Sequence, residues 1–288
     1  MRTIKHSWNG DRTGVSGAVT AVMLLLIIIS VISIVITFFV PIWAEADESQ
    51  HMRQTLEQFY AMRENIDAQI LQDNPIQASS KITLGNEPNA LLGLYRTAGR
   101  LVANPFNGTL SVYNATDSSD LFAVSRGNVT FTSQNSYIPQ RSYILEQGAV
   151  LVAGPGGKAA MRVPPHLSAT KSAGGDLSLT MLFVSVGGDF SSFSGTENVI
   201  VETSLLTRDV NIYEGGEWEL GRNISINLTT PYADAWASFF DETLTDPVTN
   251  LTLGVDFNVT AAAGWVRLDL NDVKRMDLGV AVVETKIS

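Results

Sequence analysis

From Thr13 to Ala44 the chain carries no charged residue, and the centre of this stretch, Val22 to Val40, is almost wholly aliphatic and aromatic. About 20 apolar residues suffice for a helix to cross the hydrocarbon core of a bilayer. The run is longer than that, and longer than the roughly 7–15 apolar residues of an ordinary secretory signal. The reading is a transmembrane helix over 15–43. Ahead of it, Arg2, Lys5 and Arg12 stand against Asp11, a net charge of +2 in residues 1–14, so the rest of the chain carries −12. Glu45, Asp47 and Glu48 follow it. Basic residues favour the cytoplasmic side, so residues 1–14 form a cytoplasmic leader and everything after Trp43 lies outside the cell.

Helical patterning continues past the membrane. From Glu45 to Leu71 there is no glycine or proline, and Met52, Phe59 and Ile66 recur at seven residues with Leu56 and Ile70 on the adjoining seam. Arg63 interrupts that seam. Such spacing places these side chains on one helical face. Residues 44–74 therefore read as a helical stalk whose apolar face packs either on the protein's own head or on other subunits. Pro41 is expected to kink the helix near the membrane surface, and Asn74-Pro75 to end it.

After Pro75 the texture changes to short apolar runs broken by Gly, Asn and Ser clusters. The runs begin at Leu110-Tyr113 and continue through Val129-Phe131, Tyr143-Leu145, Ala149-Val152, Leu177-Val186, Val199-Thr203 and Val210-Tyr213. They resume at Glu217-Leu220, Ile224-Leu228, Leu251-Phe257, Trp265-Leu270 and Gly279-Val283. This is the pattern of an antiparallel sandwich or barrel, and 75–288 reads as a β-sandwich-like domain, with hairpin turns at Gly154-Gly157 and Glu214-Glu217. One helix is inserted: Thr230 is its expected cap, Pro231 suits its first turn, and Tyr232, Trp236, Phe239 and Phe240 share a core-facing side up to about Leu244. The fold class is α+β.

Seven Asn-X-Ser/Thr sequons occur, at Asn107, Asn114, Asn128, Asn223, Asn227, Asn250 and Asn258. With 17 Asn and 49 Ser plus Thr in 288 residues, chance supplies about 3. All seven fall in the region placed outside, so they read as glycan acceptors.

Composition removes most chemistries. The 45% apolar and 17% charged content is not that of a disordered chain, and a formal charge of −10 argues against nucleic acid. There is no cysteine, and only His6, His51 and His166 are present. Disulfides, thiolate metal sites and cysteine nucleophiles are excluded, and no two histidines have ligand spacing. His51 reads as a helix-surface residue and His166, after Pro164-Pro165, as a loop residue. Gly154-Pro-Gly-Gly-Lys158 lacks the first glycine and the Ser/Thr of a phosphate loop, with Val152 and Ala159 at those positions. Asp241-Glu242 and Glu217/Glu219 read as solvated surface carboxylates. No catalytic, cofactor or metal residues are expected, and the protein is not read as an enzyme.

The basic N-terminus, Gly14-Val15-Ser16 and the long apolar helix resemble archaeal type IV pilin-like proteins with a class III signal peptide. Phe38-Trp43, His51-Met52-Arg53, Phe59 and Ile66-Asp67 extend the likeness. Tyr143-Val150 and Ser194-Gly195 add to it in the head. The resemblance implies cleavage between Gly14 and Val15 by a prepilin-type peptidase on the cytoplasmic side, with the helix retained. Thr13 and Gly17 depart from the family's usual residues. An uncut chain would be a single-pass anchored surface protein.

Three functions follow from these features: a pilin-like structural or adhesion subunit, a non-polymerising surface binding protein, or an anchored ectoenzyme with no recognisable site. Ser30, Ser33 and Thr37 lie within about 60° of one another at 100° per residue, and small residues favour close helix approach in lipid. They are the expected self-association face.

Overall fold

A computed structural model describes residues 12–72, 76–86, 97–116, 120–172, 174–214, 222–249 and 251–288. The chain divides into two compact units, residues 1–47 and 48–288. The first is helical. Helix α1 spans Arg12–Ile34, a π turn follows at Val35–Phe39, and helix α2 runs Val40–Gln72 into the second unit. In place of the kink expected at Pro41, there is this π turn just ahead of it. Proline has no N–H to donate, and just before it Val40 donates its N–H to the carbonyl of Val35, five residues back. The wider turn takes up the register change within a continuous helix. Helix α2 ends at Gln72, and the expected stop at Asn74-Pro75 lies outside the described residues.

The second unit is built on strands β1 (Ala78–Thr83), β2 (Ala98–Asn114), β3 (Asp120–Gln134), β4 (Ser142–Glu146), β5 (Ala149–Ala153), β6 (Ala159–Val163) and β7 (His166–Lys171). They continue as β8 (Leu177–Gly187), β9 (Ser191–Gly195), β10 (Asn198–Glu214), β11 (Arg222–Thr229), β12 (Phe257–Ala262) and β13 (Trp265–Ile287). Helix α3 (Ala233–Leu244) is inserted between β11 and β12. The main path of the sheet is β1-β10-β13-β11-β2-β3-β4-β5-β6. Pairings between these strands are antiparallel except β8 with β13. The domain is thus α+β, a mostly antiparallel β structure with one short helix.

Several boundaries differ from those the sequence suggests. Trp265-Leu270 and Gly279-Val283 belong to one strand, β13, whose register shifts near Asp272, a residue at φ 53°. Val199-Thr203 and Val210-Tyr213 likewise belong to β10, which shifts register twice against β13. Leu251-Phe257 is mostly a loop, bent at Gly254 (φ 80°), and only Phe257 enters β12. The Gly154-Gly157 hairpin is present: Gly154 N–H donates to the Lys158 carbonyl at 2.9 Å. Glu217-Leu220 lies outside the described residues, as does the expected Glu214-Glu217 turn beyond Glu214, which ends β10.

Two cores stabilise the head. In one, Trp236 and Phe240 of α3 pack with Leu110, Ile226, Leu268 and Phe257. In the other, the face of α2 from Met52 to Ile70 packs on the sheet. Met52, Phe59, Met62, Ile66 and Ile70 are at most 2% exposed, against Leu84, Leu101, Phe131, Val201 and Val283. Each such side chain contributes about 1.5–3 kcal/mol by leaving water. The stalk face is therefore taken by the protein's own head, and residues 48–72 belong to that domain.

Candidate functional site

The apolar helix of the first unit is exposed on every side. Leu25, Ile32 and Phe38 stand at 55%, 50% and 63%, and among the described residues one helix is long and apolar enough to cross a membrane. A helix apolar all round finds no stable place in water and requires lipid or other helices. The backbone from Arg12 is helical, so Gly14 and Val15 lie in the first turn of α1. Ser30 donates its hydroxyl to the Leu26 carbonyl at 2.7 Å, which covers its polar hydrogen within its own helix. Ser33 lies nearly one turn further on. Thr37 lies inside the π turn, where the uniform 100° spacing that grouped it with the serines no longer applies.

Where α2 meets the head, polar residues make the closest fit. The Glu48 carboxylate, 1% exposed, accepts the backbone N–H groups of Ser136, Tyr137 and Ile138 at 2.8, 2.9 and 2.9 Å. One turn on, His51 is 1% exposed, contrary to its reading as a surface residue. Its ring meets Phe131 edge-on at 6.2 Å, and Nε2 donates to the Leu84 carbonyl at 3.3 Å. Burial lowers its pKa, against smaller opposing effects of the Leu84 hydrogen bond and the Glu48 charge. Gln69 Nε2 donates to the carbonyls of Ile76 and Thr203, and Tyr143 Oη donates to the Met52 carbonyl at 2.8 Å. Burial pushes the Tyr143 phenol up to about 12.

Arg63, the residue that breaks the apolar seam, has a definite place. It pairs with Asp67, donates Nε–H to the Gly148 carbonyl at 2.9 Å, and lies 3.1 Å from His166 Nε2. His166 opens β7 rather than sitting in a loop, and its Nε2 is 3.2 Å from Asp67 Oδ1. The cluster joins helix to strand. Next to it, Gln147 (φ 52°) and Gly148 (φ 78°) turn the β4–β5 hairpin, and Gln147 is fully buried with neither amide atom hydrogen-bonded.

A further polar group escaped sequence reasoning. Glu146, 0% exposed, accepts from the Thr230 hydroxyl at 2.7 Å and from the Trp236 indole at 3.0 Å. Thr230 is not the N-cap of α3. It accepts the Tyr232 N–H at 3.1 Å, one turn ahead of a helix that starts at Ala233. No periodic signal links residue 146 to residues 230 and 236; only the tertiary fold does.

The sequons divide sharply. Asn223 and Asn258 are exposed and Asn227 is half-buried. Asn114 and Asn128 are covered, at 7% and 5%. The side chain of Asn107 and the whole of Asn250 lie outside the described residues. Asp241 and Glu242 are exposed to solvent, while Glu217 and Glu219 are not among the described residues.

Among the described residues no three His, Asp or Glu side chains gather as a metal site. Among the described residues, one cleft of about 430 Å³ lies beside Met161, Phe239 and Glu242, and another of about 390 Å³ beside Leu84, Phe193 and Ser288. Neither lining holds a histidine or pairs a nucleophile with a base. The chain matches no protein-family model, no curated protein and no solved structure.

Proposed function

We propose that this is a membrane-anchored, pilin-like cell-surface protein with a structural or adhesive role. Its helix is retained in the membrane or in a filament core, and its β-rich head stands outside the cell. The observation that carries the reading is the contrast between the two units. The 48–288 unit has its own filled cores, whereas the apolar side chains of 17–39 are exposed on all sides. Such a helix is useful only where lipid or a neighbouring helix covers it.

Orientation follows from charge, with Arg2, Lys5 and Arg12 on the cytoplasmic side and the acidic remainder outside. A prepilin-type peptidase cutting between Gly14 and Val15 leaves a mature chain that starts at the apolar helix. Helix neighbours then meet at Ser30 and Ser33, with Thr37 in the π turn close by. Sequons exposed on the outside head carry glycans.

One observation favours the second reading, a solitary anchored surface protein. The seven-residue seam on α2 is consumed by the head's own core, so any association between copies rests on the apolar helix alone.

Protease added to intact cells tests the placement. It should clip the region after Glu45 and leave residues 1–14 protected; the reverse pattern overturns the topology. The mass of the mature N-terminus then separates the two readings, since a chain starting at Val15 supports the pilin-like route and one starting at Met1 the plain anchor.

A further inference from the structure

We propose that one face of the head, the outer side of β2, β11, β13 and β12, is a glycan-bearing face, modified at Asn223, Asn227 and Asn258 and kept out of contacts between copies. The inference rests on the outside placement of the head.

The argument begins with strand geometry. Residues i and i+2 of a strand point to the same side, so in an Asn-X-Ser/Thr sequon on a strand the amide and the hydroxyl share a face. A strand sequon is therefore either wholly outward or wholly inward. In β11 the alternation is clear: Ile224, Ile226 and Leu228 are at most 1% exposed and belong to the α3 core, so Asn223 and Asn227 point the other way. In β12, Phe257 faces the same core and Asn258 is exposed opposite to it.

The pairing register brings these positions together. Asn227 stands across from Arg267, Asn258 across from Asp269, and Thr260 across from Arg267. Asn227 and Asn258 are thus two strands and two residues apart, about 12 Å, and Asn223 lies about 14 Å along β11 from Asn227. Ser111 of β2 lies across from Asn227 on the other side. Three acceptors separated in sequence by up to 35 residues converge on one patch.

The polar side chains between the acceptors bond one another, with Ser225 covered at 2% exposure. Ser225 donates to Asp269 Oδ1, and Arg267 Nε donates to Asp269 Oδ2 at 3.0 Å. The Asp269 charge in turn raises the pKa of Arg267, against a smaller effect of burial. The charges on this face satisfy one another. By contrast, Asn128 lies opposite the buried Glu146, and Asn114 lies opposite Ile224 with its Oδ1 accepting the Thr116 N–H. Neither can carry a sugar in the folded head.

The chemistry needs a lipid-linked sugar phosphate donor and a membrane transferase. The Asn amide nitrogen bonds to the anomeric carbon, the bond from that carbon to the phosphate oxygen breaks, the lipid phosphate leaves with the electron pair, and the amide proton passes to a base. Sugars anchored about 12 Å apart leave no room for a second protein surface.

Site-resolved glycopeptide mass spectrometry of the native protein is the test. Occupancy at Asn223, Asn227 and Asn258 should exceed that at Asn114 and Asn128 at least tenfold. Comparable occupancy at Asn114 or Asn128 overturns the proposal, because the acceptors would then be read without regard to the folded face. A bare chain whose head is protease-accessible on intact cells overturns this proposal alone, and a protease-protected head overturns the outside placement as well. The chain has no cysteine, so single A262C and A123C variants report contacts cleanly; Ala262 is exposed on this face, and Ala123 is exposed on the same side of the sheet in the adjoining β3, across from Ser111. No crosslinked dimer is expected from either in native membranes, and an efficient one shows that the face is an interface between copies.

Discussion

His51 on α2 donates its Nε2–H to the carbonyl oxygen of Leu84 at 3.3 Å, while its Nδ1 is buried with no hydrogen-bond partner. The neutral ring fits the site; the protonated ring would bring a second N–H with nothing to receive it. Its folded pKa is accordingly below the ordinary value, burial being the largest cause.

The pH dependence follows directly. Above about pH 6.5 His51 is neutral in both states and costs nothing. As pH falls below that value the unfolded chain takes up the proton first, so stability declines until the folded pKa is passed. Denaturant unfolding of the head at pH 7 and pH 5 should show this loss, and H51Q, which retains an amide donor for Leu84, should reduce it. An unchanged pH slope in H51Q would place the titration elsewhere.

Glu48 fastens the loop after β3 to the helix. E48Q removes the charge from an acceptor of three backbone N–H groups and should cost about 1–3 kcal/mol. Hydrogen exchange at Ser136, Tyr137 and Ile138 should accelerate more than exchange in β11. Uniform acceleration throughout the head would mean that the residue supports global stability only.

The Trp236 indole and the Thr230 hydroxyl both donate to the same oxygen of Glu146. W236F keeps most of the ring packing but withdraws one donor from a buried carboxylate, a change expected to cost about 1–3 kcal/mol beyond the loss of packing. Replacing Glu146 by Gln in the same background tests the coupling: a double-mutant cycle should be non-additive. Additive changes would deny that these residues act as one group.

How much of this was legible depends on whether a feature is periodic. The transmembrane and stalk helices expected over 15–43 and 44–74 are found as one helical run at 12–72, because absence of charge, then a heptad, marks it continuously. The inserted helix ends at Leu244, as its aromatic face suggested. Strands with apolar alternation were visible, while β1, β6, β7 and β9 are short, and β1, β7 and β9 are rich in Ser, Thr or Lys, so they carry little alternation. Trp265-Leu270 and Gly279-Val283 read as separate runs, yet they are one strand with a register shift near Asp272, whose N–H donates to Asn223 Oδ1 at 3.3 Å. The parallel pairing of β8 with β13 and the burial of His51 arise from distant segments, for which local sequence has no signal. The sequons were found by pattern, but their sorting into outward and inward sets required the register.

The central claim, that copies of the apolar helix cover one another, is tested most directly by crosslinking in native membranes. Single cysteines placed in the cysteine-free chain at Ser30, Val31, Ile32 and Ser33 sample all sides of the helix within one turn. At native abundance, S30C and S33C should give disulfide-linked dimers, with V31C and I32C giving far less. Absence of crosslinked dimer at all four positions would contradict self-association and leave a solitary anchored surface protein.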